Sequence, residues 1–237
     1  MLNLSADEGQ TNKNNRGIWE NTVVAAGEKV YRCNLTDFNY YANGWSTDSN
    51  GIPEGWLLFN SKAYARIIAP ILERTRIPQN GFTLECVFKV NDIGIDAPIL
   101  DWTIGIPGKG FYIYKDRAFI NLPEAGVKNL TVYYEAHGIS KDSEAIHIAF
   151  VLDSTNKYAK IYLNGVLSGA SELNYSELTD GKYASFSNIY LNCNNENDLS
   201  KIIYGNCKVA AVRLYSDVLE SDELVKNYIY NLQDEIL

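Results

Sequence analysis

Hydrolysis of a glycosidic bond needs two carboxylates about 5–9 Å apart, flanking the bond. No strand of this chain carries such a pair: Glu85 stands alone among Thr83, Val87 and Lys89. Asp222-Glu223 and Asp234-Glu235 fall in the C-terminal helical region, as partners of the helix dipole and as a solvated tail. His137 lies beside Gly138 in a loop and His147 alternates along a strand; neither accompanies a Ser or Cys nucleophile motif. No glycine-rich loop opens a helix, so a nucleotide phosphate site is not indicated. Cys33, Cys86, Cys193 and Cys207 lack C-x-x-C spacing, which argues against zinc. Cys86 reads as a buried strand thiol. Cys193 and Cys207 flank a polar loop and could pair across it; the alternative is four free thiols in a reducing compartment. Asp96, Asp101, Asp142 and Asp153 sit in or near inter-strand loops and offer the hard oxygens that Ca²⁺ takes. No dense Asp/Asn calcium loop surrounds them, and Asp153 before "STNKY" also reads as a turn starter that bonds its own backbone.

Aromatic residues offer a different chemistry. A flat ring with a polar edge stacks on a sugar face and costs little entropy to fix. "DWTIGIPGKGFYIY" presents Trp102, Tyr112 and Tyr114, with the two tyrosines in opposite phase to Phe111 and Ile113. Tyr133, Tyr162 and Tyr190 hold the polar phase of other strands. If those strands are neighbours, the rings line one sheet face. Trp102, Tyr112, Tyr114, Tyr162 and Tyr190 are therefore the candidate ligand-binding residues. The competing reading is that the N-terminal segment or a neighbouring subunit covers these tyrosines.

The elements that would position them are strands. "GFTLECVFKV" puts Phe82, Leu84, Cys86, Phe88 and Val90 on one face and Thr83, Glu85 and Lys89 on the other. "WLLFNSKAYARIIAP" reads as two short strands around Asn60-Ser61. "PILDWTIG", "GFYIYKD", "RAFINL" and "NLTVYYEA" follow, with Lys115-Asp116 at a turn. "EAIHIAFVLD" is apolar on both faces apart from His147, as in a strand covered on both sides. In "KIYLNGVLSG", Asn164-Gly165 is the preferred pair for a two-residue type I′ hairpin, because both positions need positive φ. "NIYLNCN" and "CKVAAVRLYSD" complete the strands. Ser221 can cap a closing helix, with Asp222 and Glu223 in its first turn and Leu224, Val225, Tyr228, Ile229 and Leu232 at helical spacing. The segment before residue 55 is rich in Asn and turn residues and takes no regular element.

Many short strands and one terminal helix indicate an all-β sandwich of two antiparallel sheets. A sandwich domain over 56–237, with residues 1–55 as an N-terminal extension packed on it, is the expected organisation. The 46% apolar and 21% charged composition is that of a globular chain, and the net charge of −8 argues against nucleic acid or anionic lipid as partner. No run of about 18 apolar residues would span a membrane. "MLNLSADEGQ" lacks a basic region followed by an apolar stretch, so a secretory signal is not expected.

The order "GFTLECVFKV", "IHIAFVLDSTNKYAKIYLNGVLSG", "SNIYLNCN", "VAAVRLYSDVLESDELVKNYI" resembles the laminin-G-like branch of the concanavalin A-like lectin/glucanase superfamily, over about residues 57–232. The "IYLNG" hairpin and the closing "VRLYSDVLESDEL" carry it most specifically. The resemblance implies a jelly-roll sandwich, and a loop-bound Ca²⁺ as one possibility. The superfamily's glucanases take their acids from a Glu-x-Asp-x-x-Glu strand, which is absent here. The lead-in "TNKNNRGIWEN" with "LTDFNYYANGW" is similar to segments before such domains in phage tail and baseplate proteins.

These readings combine into a non-catalytic, lectin-like module of a phage virion, made in the host cytoplasm, whose partner is a host surface polysaccharide. The alternative partner is other virion proteins, in an assembly domain of a tail, neck or baseplate, and a homo-oligomer is possible. A glycoside hydrolase with an unrecognised acid pair is the third reading.

Overall fold

Each one-sided strand has to bury its apolar face, and the chain solves this with two stacked sheets. The computed structural model describes residues 2–5, 18–20, 32–36, 44–47, 53–59, 62–67, 80–91, 96–104, 107–139, 145–174, 188–194 and 201–233. Its strands are β1 (Leu2–Ser5), β2 (Ile18–Glu20), β3 (Arg32–Thr36), β4 (Gly44–Thr47), β5 (Pro53–Phe59), β6 (Tyr64–Ile67), β7 (Gly81–Val90) and β8 (Leu100–Thr103). There follow β9 (Gly110–Ile113), β10 (Arg117–Leu122), β11 (Val127–Tyr133), β12 (Ile146–Asp153), β13 (Tyr158–Leu163), β14 (Val166–Glu172), β15 (Ile189–Leu191) and β16 (Cys207–Tyr215). One α-helix, α1 (Ser221–Gln233), closes the described chain.

Sheet A runs β14-β13-β12-β7-β16-β5-β4, with β1 also on β16; sheet B runs β11-β10-β9-β8-β15-β6-β3-β2. This is the expected all-β sandwich with a C-terminal helix. The strands expected around Asn60-Ser61 exist, but β5 lies in sheet A and β6 in sheet B, so the chain crosses between sheets there. The segment before residue 55, in which the sequence pattern showed no regular element, contributes strands. Its strands are hydrogen-bonded into both sheets: β1 on β16, β3 on β6 and β4 on β5.

The core lies between the sheets. Phe82, Leu84, Cys86 and Phe88 of β7 point into it as their alternation predicts. Trp102 is there too, 0% exposed. Its ring centroid lies 5.3 Å from Phe82 and 5.2 Å from Phe111. This corrects its place among the ligand-binding candidates: the inward phase of β8 is Leu100 and Trp102, and the outward phase is Asp101 and Thr103.

All of β12 is buried because α1 and the turn before it cover sheet A. Ala149, Val151 and Tyr162 pack under Leu224, Val218 and Leu219. Tyr162 is 6% exposed and so is also removed from any open tyrosine face. Thr83 fastens the turn: its Oγ1 donates to the Asp217 carbonyl at 3.1 Å and accepts from Leu219 N–H at 2.9 Å. Ser221 is the first helical residue rather than the cap. Glu223 reaches back to accept the Glu220 N–H at 2.8 Å, a capping-box contact.

The Asn164-Gly165 hairpin forms with φ of 51° and 77°. It also seats the helix. A Cβ on Gly165 would lie 3.1 Å from Val225 Cα, and Asn164 Oδ1 accepts the His147 N–H at 2.9 Å.

Beneath α1 lies a buried polar cluster. His147 Nε2 meets Glu85 Oε1 at 3.1 Å, and Asn227 Nδ2 donates to both Glu85 oxygens at 3.1 Å. Arg213 Nη1 approaches Glu85 Oε2 at 3.9 Å, and the His147 ring stacks on Tyr228. Burial opposes charge on Glu85, but the His147 and Asn227 bonds and the Arg213 guanidinium outweigh it and hold the carboxyl below its usual range. Asp153 is lowered against its own burial by Asn156 and Lys160. Both carboxylates therefore add stability above the unfolded-state pKa of about 4, and that stability is lost as pH falls through their folded-state values. The melting temperature is expected to hold from about pH 7 to about pH 5 and to drop below about pH 4. A pH–melting series of the wild type beside Glu85→Gln checks this: the variant's acid limb is shallower if Glu85 carries the effect, and unchanged if it does not.

Cys86, Cys193 and Cys207 are buried free thiols, so the pairing considered for Cys193 and Cys207 is absent. Cys207 Sγ instead contacts Asn192 Oδ1 at 3.3 Å, and burial beside Asp101 pushes Cys193 up to about 12. The side chain of Cys33, and Asp142, Asp234 and Glu235, lie outside the described residues.

Candidate functional site

Register fixes which side chains share the outer face of sheet B. Arg66 stands opposite Tyr190, Tyr190 opposite Asp101, Asp101 opposite Tyr112, Tyr112 opposite Phe119 and Phe119 opposite Thr131. Tyr112, Tyr114, Tyr133 and Tyr190 thus occupy the face of one sheet, and Tyr162 belongs to the other sheet.

These tyrosines are engaged to different degrees. Tyr112 is 3% exposed and stacks on Phe119 at 4.7 Å. Its hydroxyl meets Thr103 Oγ1 at 3.0 Å and the Lys109 carbonyl at 3.2 Å, and Thr103 donates to Asp101 Oδ1 at 2.6 Å. Burial raises the Tyr112 phenol strongly, so it stays a donor. Tyr114 is half-buried between the Phe119 ring at 5.8 Å and the Arg117 guanidinium 4.4 Å above it. Tyr190 stacks on Tyr64 at 6.5 Å, and Tyr204 joins them at 6.2 Å from Tyr64. Tyr133 is different: it is 54% exposed.

Tyr133 stands at a pocket of about 560 Å³ lined by Lys115, Asp116, Tyr133, Tyr134, Glu135, Gly138 and Ile139. That volume suits a small ligand or one or two units of a chain. The site grows out of local structure. The β9–β10 hairpin turns at Lys115-Asp116, closed by Tyr114 N–H donating to the Arg117 carbonyl at 2.7 Å. β11 ends opposite Arg117 at Tyr133. Tyr134 then ties the two together, its N–H donating to the Asp116 carbonyl at 3.0 Å and its buried hydroxyl to the Tyr114 carbonyl at 2.9 Å. A single 3-10 turn, Glu135–His137, forms the second wall and ends at Gly138 with φ 75°. Ile139 packs back on the core.

The charges around the pocket are arranged in pairs. Arg117 bonds Asp116 at 2.7 Å and Asp96 at 3.3 Å. Glu135 is exposed, and its carboxylate makes no ion pair or hydrogen bond among the described residues. The site can therefore stack a ring face on Tyr133 and accept hydroxyl protons at Glu135 and Asp116. None of the five candidate ligand-binding residues is among the lining residues; Tyr114 is tied to its wall through the Tyr134 hydroxyl. Tyr133 had been noted for its phase alone. "YYEAHG" after Lys115-Asp116 was the available signal: a paired Tyr at a strand end, facing a charged hairpin turn.

The described calcium candidates are otherwise occupied. Asp96 holds Arg117, Asp101 holds Thr103, and Asp153 accepts Asn156 N–H at 2.9 Å and Lys160 at 3.0 Å. Among the described residues no group of three or more His, Cys, Asp or Glu is placed to hold a metal ion, and no helix is long and apolar enough to cross a membrane.

No protein-family model matches the sequence, and no curated protein matches it. Solved structures match its fold. The Trypanosoma rangeli sialidase held as a covalent intermediate with 2,3-difluorosialic acid is 15% identical, with a TM-score of 0.61 over 99% of this chain and 33% of that one. The binding domain of botulinum neurotoxin DC in complex with rat synaptotagmin II is 14% identical, with a TM-score of 0.59 over 97% of this chain and 51% of that one. Botulinum neurotoxin type C, which interacts with two ganglioside molecules, gives 14% identity and a TM-score of 0.60 over 97% and 50%. The chain thus spans about half of the neurotoxin chains and a third of the sialidase. At these identities the likeness shows the fold alone, and the fold shared with them is the antiparallel β-sandwich.

Proposed function

We propose that the chain is a non-catalytic carbohydrate-binding module that takes a saccharide unit at the Tyr133 pocket. The observation that carries this is one exposed ring at the rim of a pocket whose walls supply carboxylate acceptors and an ammonium donor. Apolar stacking with a few convergent polar groups is how concave small-ligand sites work. Two proteins that share the sandwich, a neurotoxin that interacts with gangliosides and a sialidase held with difluorosialic acid, meet glycans and support it, the chain spanning half of the one and a third of the other. A host surface polysaccharide met by a phage particle is the finer form of the proposal. It draws on the lead-in similarity and the acidic net charge of −8, which suits neither nucleic acid nor anionic lipid.

Hydrolysis is the second reading, because the pocket brings together two carboxylates, Asp116 and Glu135. Binding is preferred because Asp116 is ion-paired with Arg117 at 2.7 Å. A hydrolytic pair needs each carboxylate free to act on the sugar bond, and the ion pair commits that of Asp116 to Arg117.

The test is a glycan array that includes bacterial wall polysaccharides, followed by titration of the hits. Tyr133→Ala is expected to weaken binding about ten-fold or more, while Tyr190→Ala changes it less than three-fold, since losing a stacked ring costs on the order of 1 kcal/mol beyond area. Equal binding by Tyr133→Ala would move the site elsewhere. Product release from a hit would favour hydrolysis, and silence across the array would favour protein contacts.

A further inference from the structure

We propose that the pocket selects sugars without an acidic group, and that Glu135 sets this choice. The inference rests on the saccharide reading of the pocket. It starts from the balance of charge at the walls. Among the described residues the lining holds the carboxylates of Asp116 and Glu135 against the ammonium of Lys115. Adding the neighbouring Arg117 and Asp96 gives three acids to two bases, a net of one negative charge.

Distribution matters more than the sum. The Arg117 guanidinium, the group best shaped to clamp a carboxylate, is spent inside the protein. It bonds Asp116 and Asp96 and lies 4.4 Å over the Tyr114 ring. Lys115 is also engaged. Glu135 carries the one lining carboxylate with no side-chain partner among the described residues. Its position is fixed by the backbone instead. Gly138 N–H donates to the Glu135 carbonyl at 3.0 Å, while His137 N–H and Ile139 N–H donate to the Tyr134 carbonyl at 3.0 and 3.1 Å.

A sugar stacked on Tyr133 therefore meets an unengaged anion and no unengaged guanidinium. A carboxylate accepts two donors at once and suits a pair of neighbouring hydroxyls. A sugar carboxylate in the same place meets the like charge of Glu135, with the described lining offering one cation, Lys115, against two carboxylates and the Arg117 guanidinium already committed to Asp116 and Asp96; like charges opposed across an interface are a strong device against the wrong partner. The −8 charge of the whole chain adds a weaker, long-range bias in the same direction.

The experiment uses matched probes that differ by one acidic unit: lactose-terminated and sialyllactose-terminated oligosaccharides, and a neutral glucan beside its uronic-acid counterpart. Affinities are measured at low and at moderate salt for the wild type, Glu135→Gln and Glu172→Gln, the last removing one exposed charge on β14. The neutral member of each binding pair is expected to bind at least ten-fold more tightly. Glu135→Gln is expected to shrink that gap to about three-fold or less, moderate salt to narrow it, and Glu172→Gln to leave it as it was. Equal or tighter binding of the acidic member overturns the selection rule and leaves the saccharide reading standing. A gap untouched by Glu135→Gln, or closed as far by Glu172→Gln, overturns the role of Glu135. Binding of neither member of any pair removes the saccharide reading, and the rule with it.

Discussion

Glu85→Ala is expected to cost about 3–5 kcal/mol, the usual penalty for removing one partner of a buried ion pair. The carboxylate is fully buried and accepts from His147 and, at both of its oxygens, from the Asn227 amide nitrogen, with Arg213 at 3.9 Å. Its removal leaves the Asn227 amide and the Arg213 guanidinium without that acceptor. His147 also loses the contact at Nε2, and its buried Nδ1 has no hydrogen-bond partner among the described residues. Because Asn227 and Tyr228 belong to α1, the damage centres on the helix. At roughly 2–4 °C per kcal/mol for a chain this long, the melting temperature falls by about 6–20 °C. Denaturant titration reads the loss, and hydrogen exchange in 221–233 shows faster opening there than in β9–β11. A cost below about 1 kcal/mol would mean that α1 is held by Leu224 and the hairpin alone. Glu85→Leu with His147→Leu is expected to recover much of the loss, since an apolar pair can replace a buried polar one.

Gly81→Ala is expected to be worse. Gly81 has φ +110°, and a Cβ there would lie 1.7 Å from the Leu152 carbonyl oxygen and 2.8 Å from its carbon. That carbonyl is backbone, in the ladder where Gly81 pairs with Asp153, so it cannot swing away without opening β7 from β12. Steric overlap and a forbidden φ together exceed about 4 kcal/mol, enough to leave little soluble folded protein. Gly108→Ala is the control. Its φ is +83°, but nothing lies within 4 Å of the added atom, so only the conformational cost of about 1–2 kcal/mol applies. Soluble yield and denaturation midpoints of the two variants decide it; similar values would show that β7 has room to shift at its first residue.

What could be read in the sequence was local. Asn164-Gly165 announced its own backbone angles, and β7 announced its inward face by strict alternation. The double burial of β12 followed from having almost no polar phase. Trp102 was legible and misplaced: in "LDWTI" the polar Asp101 and Thr103 mark the outward phase, so Trp102 had to face the core. Tyr162 was assigned the correct outward phase. Its cover comes from Leu224, some sixty residues further on, and no local pattern carries that. The same holds for the pocket, where the Lys115-Asp116 turn and the Glu135–His137 turn meet only because β10 pairs with β11. The strands before residue 55 are short and Asn-rich. Their conformation is imposed by strands already in the sheets, so periodicity had nothing to report.

The position of β1 bears on how the chain acquires its structure. Leu2 sits opposite Leu214, in a ladder that only β16 can complete. During synthesis β1 must therefore wait for β16, more than two hundred residues later in the chain. β16 in turn bridges β7 with β5 and β1, so the centre of sheet A assembles around a strand made after all of its neighbours there. Contacts this distant in sequence close slowly, and the loops between them must be ordered first. Closure of the sandwich thus waits on β16, with open strand edges exposed until that strand arrives.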